Sequence, residues 1–60
     1  MTYTEIGKYE VLEALSNGTP VIICDFETLR IMECKDMNIS AICSFIAKDN
    51  TKFFKGVANE

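Results

Sequence analysis

The stretch VIICDFETLRIMEC, residues 21–34, decides the fold because it joins two apolar runs through a short acidic segment. Residues 21–24 form a continuous and mostly β-branched run, which is typical of a strand that is covered on both faces. The segment DFET favours a turn, because Asp25 can accept hydrogen bonds from the backbone amides that follow it. Since residues 29–34 predict a second strand, the whole stretch predicts a β-hairpin whose first strand is central in its sheet.

The sequence before this hairpin predicts a helix. Thr2 and Glu5 have the spacing of a capping box, and residues 5–15 are rich in helix formers. Gly18 supplies a residue that can adopt the left-handed conformation at a helix end, and Pro20 prevents the helix from continuing.

The sequence after the hairpin predicts a second helix and a third strand. Asn38 is suited to cap a helix N-terminus. The apolar residues that follow it recur at the spacing of one helix face: Ile39, Ile42, Cys43 and Ile46. Residues 51–57 then alternate in polarity, which predicts the last strand.

These segments predict a single α+β domain over residues 1–60, in the order helix, strand, strand, helix, strand. A right-handed crossover after the hairpin gives a three-stranded antiparallel sheet with spatial order 2-1-3. We expect the two helices to cover one face of this sheet. The other face, which is partly apolar, would be left for a partner.

The cysteines predict packing rather than metal or disulfide chemistry. Cys24, Cys34 and Cys43 are 10 and 9 residues apart without a CxxC pair, and the chain has no histidine. This spacing lacks the pattern of a zinc site, and an odd number of cysteines suits a disulfide framework poorly. We therefore expect buried thiols, no metal, and a reducing compartment, namely the cytoplasm.

Charge and motif content exclude several classes of function. The net charge of −3 disfavours nucleic-acid binding, which depends on clustered Lys and Arg. No apolar run approaches the roughly 18 residues of a membrane span. Without histidine, and with three isolated glycines, the chain has neither the usual acid/base residue nor a phosphate-binding loop. We expect no catalytic residues, no cofactor and no membrane contact. The protein is predicted not to be an enzyme.

Two surfaces are candidates for binding. In the second predicted strand, Leu29 and Ile31 share one face, and the opposite face points to the uncovered side of the sheet. The predicted interface on that side comprises Arg30, Met32, Cys34, Phe54 and Lys52. A predicted acidic face comprises Glu10, Glu13, Asp25 and Glu27. Because 48% of the residues are hydrophobic in so short a chain, we also expect a homodimer that buries one apolar sheet face.

The segment EVLEALSNGTPVIICDFET, followed by an amphipathic helix and by DNTKFFKGV, resembles the short accessory proteins of phages and prophages. In size, acidity and order of elements the chain is similar to the small homodimeric anti-Hachiman proteins, which counter a bacterial anti-phage defence. This resemblance implies a protein that inhibits a host defence protein by binding it, without catalysis. It implies no catalytic residue.

Two other functions stay open at this point. The chain could sequester a signalling nucleotide, for which Arg30, Lys52 and Lys55 are the available anchors. It could also be a structural or regulatory phage accessory protein, although the acidic charge and the absence of a helix-turn-helix pattern disfavour DNA binding.

Overall fold

The computed structural model describes residues 2–58 and has an α+β architecture, as the sequence predicts. The strands are β1 (Thr2–Ile6), β2 (Val21–Asp25), β3 (Arg30–Glu33) and β4 (Thr51–Val57). The helices are α1 (Val11–Ser16) and α2 (Ile39–Ile46), and short 3-10 turns at Lys8–Glu10 and Cys34–Asp36 precede them. None of the helices in the described part of the chain is long and apolar enough to cross a membrane.

The four strands form one antiparallel sheet with the order β1-β4-β2-β3. Its register aligns Ile6, Phe53, Ile23 and Met32 in a single row across all four strands. Residues that stand opposite each other in an antiparallel sheet point to the same face, so this row marks the side of the sheet that faces the core.

The predicted fold, a three-stranded sheet of order 2-1-3 with two helices on one face, is wrong. Residues 2–6 form a fourth strand rather than the start of a helix. The segment TYTEI contains β-branched and aromatic residues, which fit a strand better than a helix. Gly7 then interrupts the chain, and helical structure begins only at Lys8. Pairing of β1 with β4 overrides the local capping-box spacing of Thr2 and Glu5.

The core consists of buried apolar residues from strands, helices and the second 3-10 turn. Val11 of α1 and Ile23 of β2 are fully buried. Burial of a Val or Ile side chain contributes about 1.5–3 kcal/mol each. The buried apolar residues are Ile6, Val11, Ala14, Val21, Ile23, Cys34, Ile42 and Phe53.

Two of the predicted helix-end signals, Gly18 and Asn38, are confirmed. Gly18 has a positive φ of 75°, and its amide donates to the carbonyl of Leu15, which closes the C-terminus of α1. The side chain of Asn38 accepts a 2.8 Å hydrogen bond from the amide of Ala41 and so caps the N-terminus of α2.

The apolar face of α2 is displaced from the predicted one. Ile42 is buried, and Phe45 and Ile46 pack against the core. Ile39 and Cys43 are exposed. The expectation of three buried cysteines therefore holds only for Cys34, since Cys24 is half-buried. A helix of eight residues has room for only a narrow buried stripe, and Phe45 takes part in it where Cys43 was expected.

Candidate functional site

The sheet face opposite the core row carries a group of apolar side chains. Phe54 stands opposite Ile22 in β2, and Cys24 stands opposite Ile31 in β3. Ile22, Cys24 and Phe54 are half-buried, whereas Ile31 is 72% exposed. The central part of this face is therefore apolar and accessible.

The β2–β3 hairpin extends this apolar surface beyond the sheet. Phe26 is 55% exposed and Leu29 is 85% exposed, and both lie in the loop that joins the two strands. We call Phe26, Leu29, Ile31 and Phe54 the hairpin patch. These four residues line a hollow of about 250 Å³ together with Cys24, Asp25 and Arg30.

The hairpin patch is large for so small a protein. A fully exposed aromatic side chain offers on the order of 200 Å², and a leucine or isoleucine side chain offers less. The exposed fractions of Phe26, Leu29 and Ile31 therefore correspond to roughly 300–400 Å² of apolar surface. The largest apolar patch on a typical monomer is about 300–600 Å², and it often has a binding role.

Leu29 has an unfavourable backbone conformation. Its φ is 57°, in the left-handed region that glycine and asparagine enter far more readily than a bulky residue. The side chain receives little burial in return, because it is almost fully exposed. The fold alone therefore gives no reason for leucine at this position.

Asp25 fixes the hairpin loop. Its side-chain oxygens accept 3.0 Å hydrogen bonds from the Glu27 amide and from the Thr28 hydroxyl. The Lys48 ammonium lies 3.7 Å from the same carboxylate. In addition, the amide of Phe26 donates a 2.9 Å hydrogen bond to the carbonyl of Asn50, which ties the loop to the segment between α2 and β4.

These contacts also set the ionisation of Asp25. Desolvation by the surrounding protein raises the pKa of its carboxyl. The two hydrogen bonds and the positive charge of Lys48 together lower it by more, so the pKa lies below the ordinary value of 3.8. Asp25 is therefore an ionised structural group that holds the hairpin loop through its hydrogen bonds to Glu27 and Thr28.

The structure divides the five residues of the predicted interface between two sides of the sheet. Phe54 and Arg30 line the hollow, and Lys52 stands opposite Cys24. Pairing with Asp25 nevertheless places Arg30 on the same side of β3 as Met32. Met32 packs against the core instead. Cys34 is also buried in the core, and this burial raises the pKa of its thiol.

The four residues of the predicted acidic face fall into two separate groups. Asp25 is buried beneath the hairpin loop, and the carboxylate of Glu27 lies 3.9 Å from the Lys48 ammonium. Glu10 and Glu13 line a different, smaller hollow of about 80 Å³ beside α1.

The three predicted nucleotide anchors are also separated. Arg30 lines the hollow of the hairpin patch, Lys55 lines the small hollow beside α1, and Lys52 lines a third cleft. That cleft has a volume of about 230 Å³ and is bordered by Lys8, Lys48 and Lys52. Two carboxylates, of Glu5 and Asp49, border it as well.

The sequence contained a signal for Phe26 and Leu29 that the predicted interface omits. Both are large apolar residues within a segment whose other residues favour a turn. A turn usually exposes its side chains to solvent. Apolar residues in such a segment therefore mark a surface that is available for contact.

Within residues 2–58, no cluster of three or more His, Cys, Asp or Glu side chains is arranged to hold a metal ion. No protein-family model matches the chain, and comparisons with curated proteins and with solved structures gave no match. The resemblance to anti-Hachiman proteins therefore stays a prediction.

Proposed function

We propose that this chain is a non-enzymatic binding protein that docks another protein on the hairpin patch. The observation that carries the proposal is the exposed leucine at position 29, held in a left-handed backbone conformation beside two further exposed apolar side chains. Strained and exposed apolar residues cost stability without improving the fold, and such features concentrate at sites of function.

The polar groups near the patch suit binding better than catalysis. The nearest buried carboxylate is that of Asp25, whose oxygens already accept hydrogen bonds from Glu27 and Thr28. A general base is most effective with a pKa near the working pH, whereas the pKa of Asp25 is lowered. These interactions stabilise the loop and leave Asp25 poorly suited to proton transfer.

The resemblance noted in the sequence suggests a more specific role. It would make the chain an inhibitor of a host bacterial defence protein, acting as a homodimer in the bacterial cytoplasm. Small size and the net charge of −3 support this part of the proposal. The order of elements does not, because the chain opens with the strand β1 and not with a helix. The hairpin patch offers a surface through which such an inhibitor could work.

The test is retention of protein from a bacterial lysate on the immobilised chain and on two matched variants. Ile31→Thr removes apolar surface from the hairpin patch, whereas Ile39→Thr makes the same change at a 61% exposed isoleucine on α2. Both variants keep a β-branched side chain, so we expect little change in folding. The proposal predicts that Ile31→Thr loses a retained protein and that Ile39→Thr keeps it; equal retention by both variants contradicts it.

The cleft bordered by Lys8, Lys48 and Lys52 supports a second candidate function, the binding of a small anion. The positive charge of this cleft is partly neutralised, because the Lys48 ammonium lies within 4 Å of the carboxylates of both Asp25 and Glu27. Its volume is also below the roughly 300–1,000 Å³ of most ligand pockets. A thermal-shift series with inorganic phosphate and ADP-ribose tests this candidate, since binding to the folded chain must raise Tm.

A further inference from the structure

We infer that β1 pairs with β1 of a second copy of the chain, so that the two sheets join edge to edge into one continuous sheet. The pairing goes beyond the proposed function and is independent of it, because most of the hairpin patch lies on β3 and on the β2–β3 loop, at the opposite edge of the sheet. Two features of β1 carry it, namely the direction of its backbone groups and its sequence.

The backbone groups of Tyr3 and Glu5 point away from β4. In an antiparallel ladder, the N–H and C=O groups of one residue point to the same side, and successive residues alternate between the two sides. The amide of Gly56 donates a 2.8 Å hydrogen bond to the carbonyl of Pro20, so Gly56 and, two residues earlier, Phe54 direct these groups towards β2. In β1, Tyr3 stands opposite Gly56. Glu5 likewise stands opposite Phe54. Tyr3 and Glu5 therefore share no ladder bonds with β4, and each presents an N–H and a C=O at the outer edge of β1.

The outer edge of β1 lacks the features by which natural sheets block further pairing. Protected edge strands are very short, carry lysine or proline, or are interrupted by a bulge. The strand Thr2–Ile6 has the sequence TYTEI, its first four residues are exposed, and its register with β4 is continuous. The other edge strand, β3, is shorter and has a charged residue at each end, Arg30 and Glu33. Of the two edges, β1 is therefore the one suited to pairing.

One register of two β1 strands satisfies all of these outward groups. A two-fold axis at Thr4 brings Tyr3 of each copy opposite Glu5 of the other. Each such pair can exchange two backbone hydrogen bonds, so the outward groups of both residues are satisfied in both copies. A register centred on Glu5 would place two carboxylates directly opposite each other, which is destabilising. A register centred on Tyr3 would leave Glu5 and Ile6 beyond the overlap of the two strands.

The side chains of β1 are compatible with the register centred on Thr4. Thr4 would meet its symmetry mate at the axis, in a pair without shared hydrogen bonds, where side chains approach each other most closely. Threonine pairs across neighbouring strands are favourable. Tyr3, which is 42% exposed, would lie opposite Glu5 of the second copy, so no like charges are directly opposed.

A dimer of this kind differs from the one expected from the sequence, which buries an apolar sheet face. Because the axis is perpendicular to the sheet, the two β3 strands lie at its outer edges and both hairpin patches stay accessible on the same face. At about 4.7–4.9 Å per strand, the two patches would be roughly 30–35 Å apart. An extended segment of another protein is the alternative occupant of the β1 edge, and it would give no self-association.

The pairing can be tested by analytical ultracentrifugation of the full chain from about 1 μM to about 1 mM, combined with amide hydrogen exchange measured by NMR. We expect a monomer–dimer equilibrium in which exchange of the Tyr3 and Glu5 amides slows as the dimer forms. Thr4→Glu should raise the dissociation constant of the dimer by about threefold to thirtyfold, because it places two carboxylates opposite each other at the axis. Within one chain the new carboxylate stands opposite Lys55, so the monomer should stay folded.

A charge rescue and a matched control complete the experiment. Thr4→Lys should also weaken the dimer, whereas an equimolar mixture of Thr4→Glu and Thr4→Lys should restore association, because opposite charges then meet at the axis. Ile31→Glu adds the same charge to the hairpin patch, at an exposed position on the opposite edge strand, and should leave the dissociation constant unchanged. Chemical shifts of each variant report whether it is folded.

Several results would overturn the inference. A chain that is monomeric at every concentration would reject a second copy as the occupant of the β1 edge. A dimer in which the Tyr3 and Glu5 amides exchange as fast as in the monomer would place the interface elsewhere. Loss of the dimer in Ile31→Glu, with retention in Thr4→Glu, would place it on the hairpin patch. The retention experiment with Ile31→Thr and Ile39→Thr tests the proposed function separately.

Discussion

Replacement of Leu29 distinguishes the free-energy cost of its left-handed backbone from the contribution of its side chain to protein binding. A left-handed conformation costs a residue with a Cβ atom about 1–2 kcal/mol, and glycine avoids this cost. Glycine also has more conformational freedom in the unfolded chain, which cancels about 0.5–1 kcal/mol of that gain in stability. Since Leu29 is 85% exposed, little burial is lost. The two ranges leave a net gain of about 0–1.5 kcal/mol, so Leu29→Gly should raise the free energy of unfolding by up to about 1.5 kcal/mol.

Leu29→Ala is the matched control, because alanine loses the same exposed surface and keeps the Cβ atom that causes the strain. Urea unfolding at equilibrium measures the free-energy difference between the two variants. Thermal unfolding should show a Tm that is higher for the glycine variant by about 4–8 °C for each 1 kcal/mol of that difference. Both variants should lose the protein that the hairpin patch retains. If the glycine variant is no more stable than the alanine variant, the strain assigned to Leu29 does not exist.

Three further predictions concern the groups that hold the fold together. Because the pKa of Asp25 is lower in the folded chain than its ordinary value of 3.8, its contribution to stability is present above that value and is lost as the pH falls through the folded pKa. Asp25→Asn should thus destabilise the chain at about pH 6 and have a smaller effect near about pH 3, as measured by urea unfolding at a series of pH values. An effect independent of pH would contradict this assignment. Asn38→Ala removes the cap of α2 and should lower the free energy of unfolding by about 0.5–2 kcal/mol, with Asn38→Asp as a control that keeps a cap. Under native conditions a thiol reagent should modify the exposed Cys43 first and the buried Cys34 last, because only the thiolate reacts and burial raises the pKa of Cys34; the opposite order, read by mass spectrometry, would contradict the structure.

Local patterns predicted the elements whose signals lie within a few residues. The run of residues 21–24 identified an inner strand, since β2 pairs with both β3 and β4. Asn38 identified the start of α2, and the alternation in residues 51–57 identified β4. Each of these signals is a short-range property of the chain, such as β-branching, a capping side chain or a period of two.

The strand β1 could not be found in the same way. Its stability comes from pairing with β4, about 50 residues later in the chain, whereas Thr2 and Glu5 carry a local pattern that is also typical of a helix start. The omission made the expected sheet one strand too small. It did not change the order of the three strands that the sequence identified.

The site was predicted only in part, because the direction of a side chain in an edge strand depends on register. Pairing of Met32 with Ile23 turns Met32 towards the core and leaves Ile31 on the accessible face. A shift of one residue exchanges the two faces of a strand, and the sequence of β3 is apolar on both. The left-handed conformation of Leu29 depends on how the loop closes between β2 and β3, which the composition of the turn did not reveal.

The most direct test of the central claim is photo-crosslinking in bacterial cells from single positions of the chain. A photoreactive phenylalanine at position 31 lies in the hairpin patch, and one at position 39 lies on the exposed side of α2. Docking of a protein on the hairpin patch predicts a covalent adduct with another protein from position 31 and none of that mass from position 39. An adduct from position 39 alone would place the binding surface elsewhere and contradict the account.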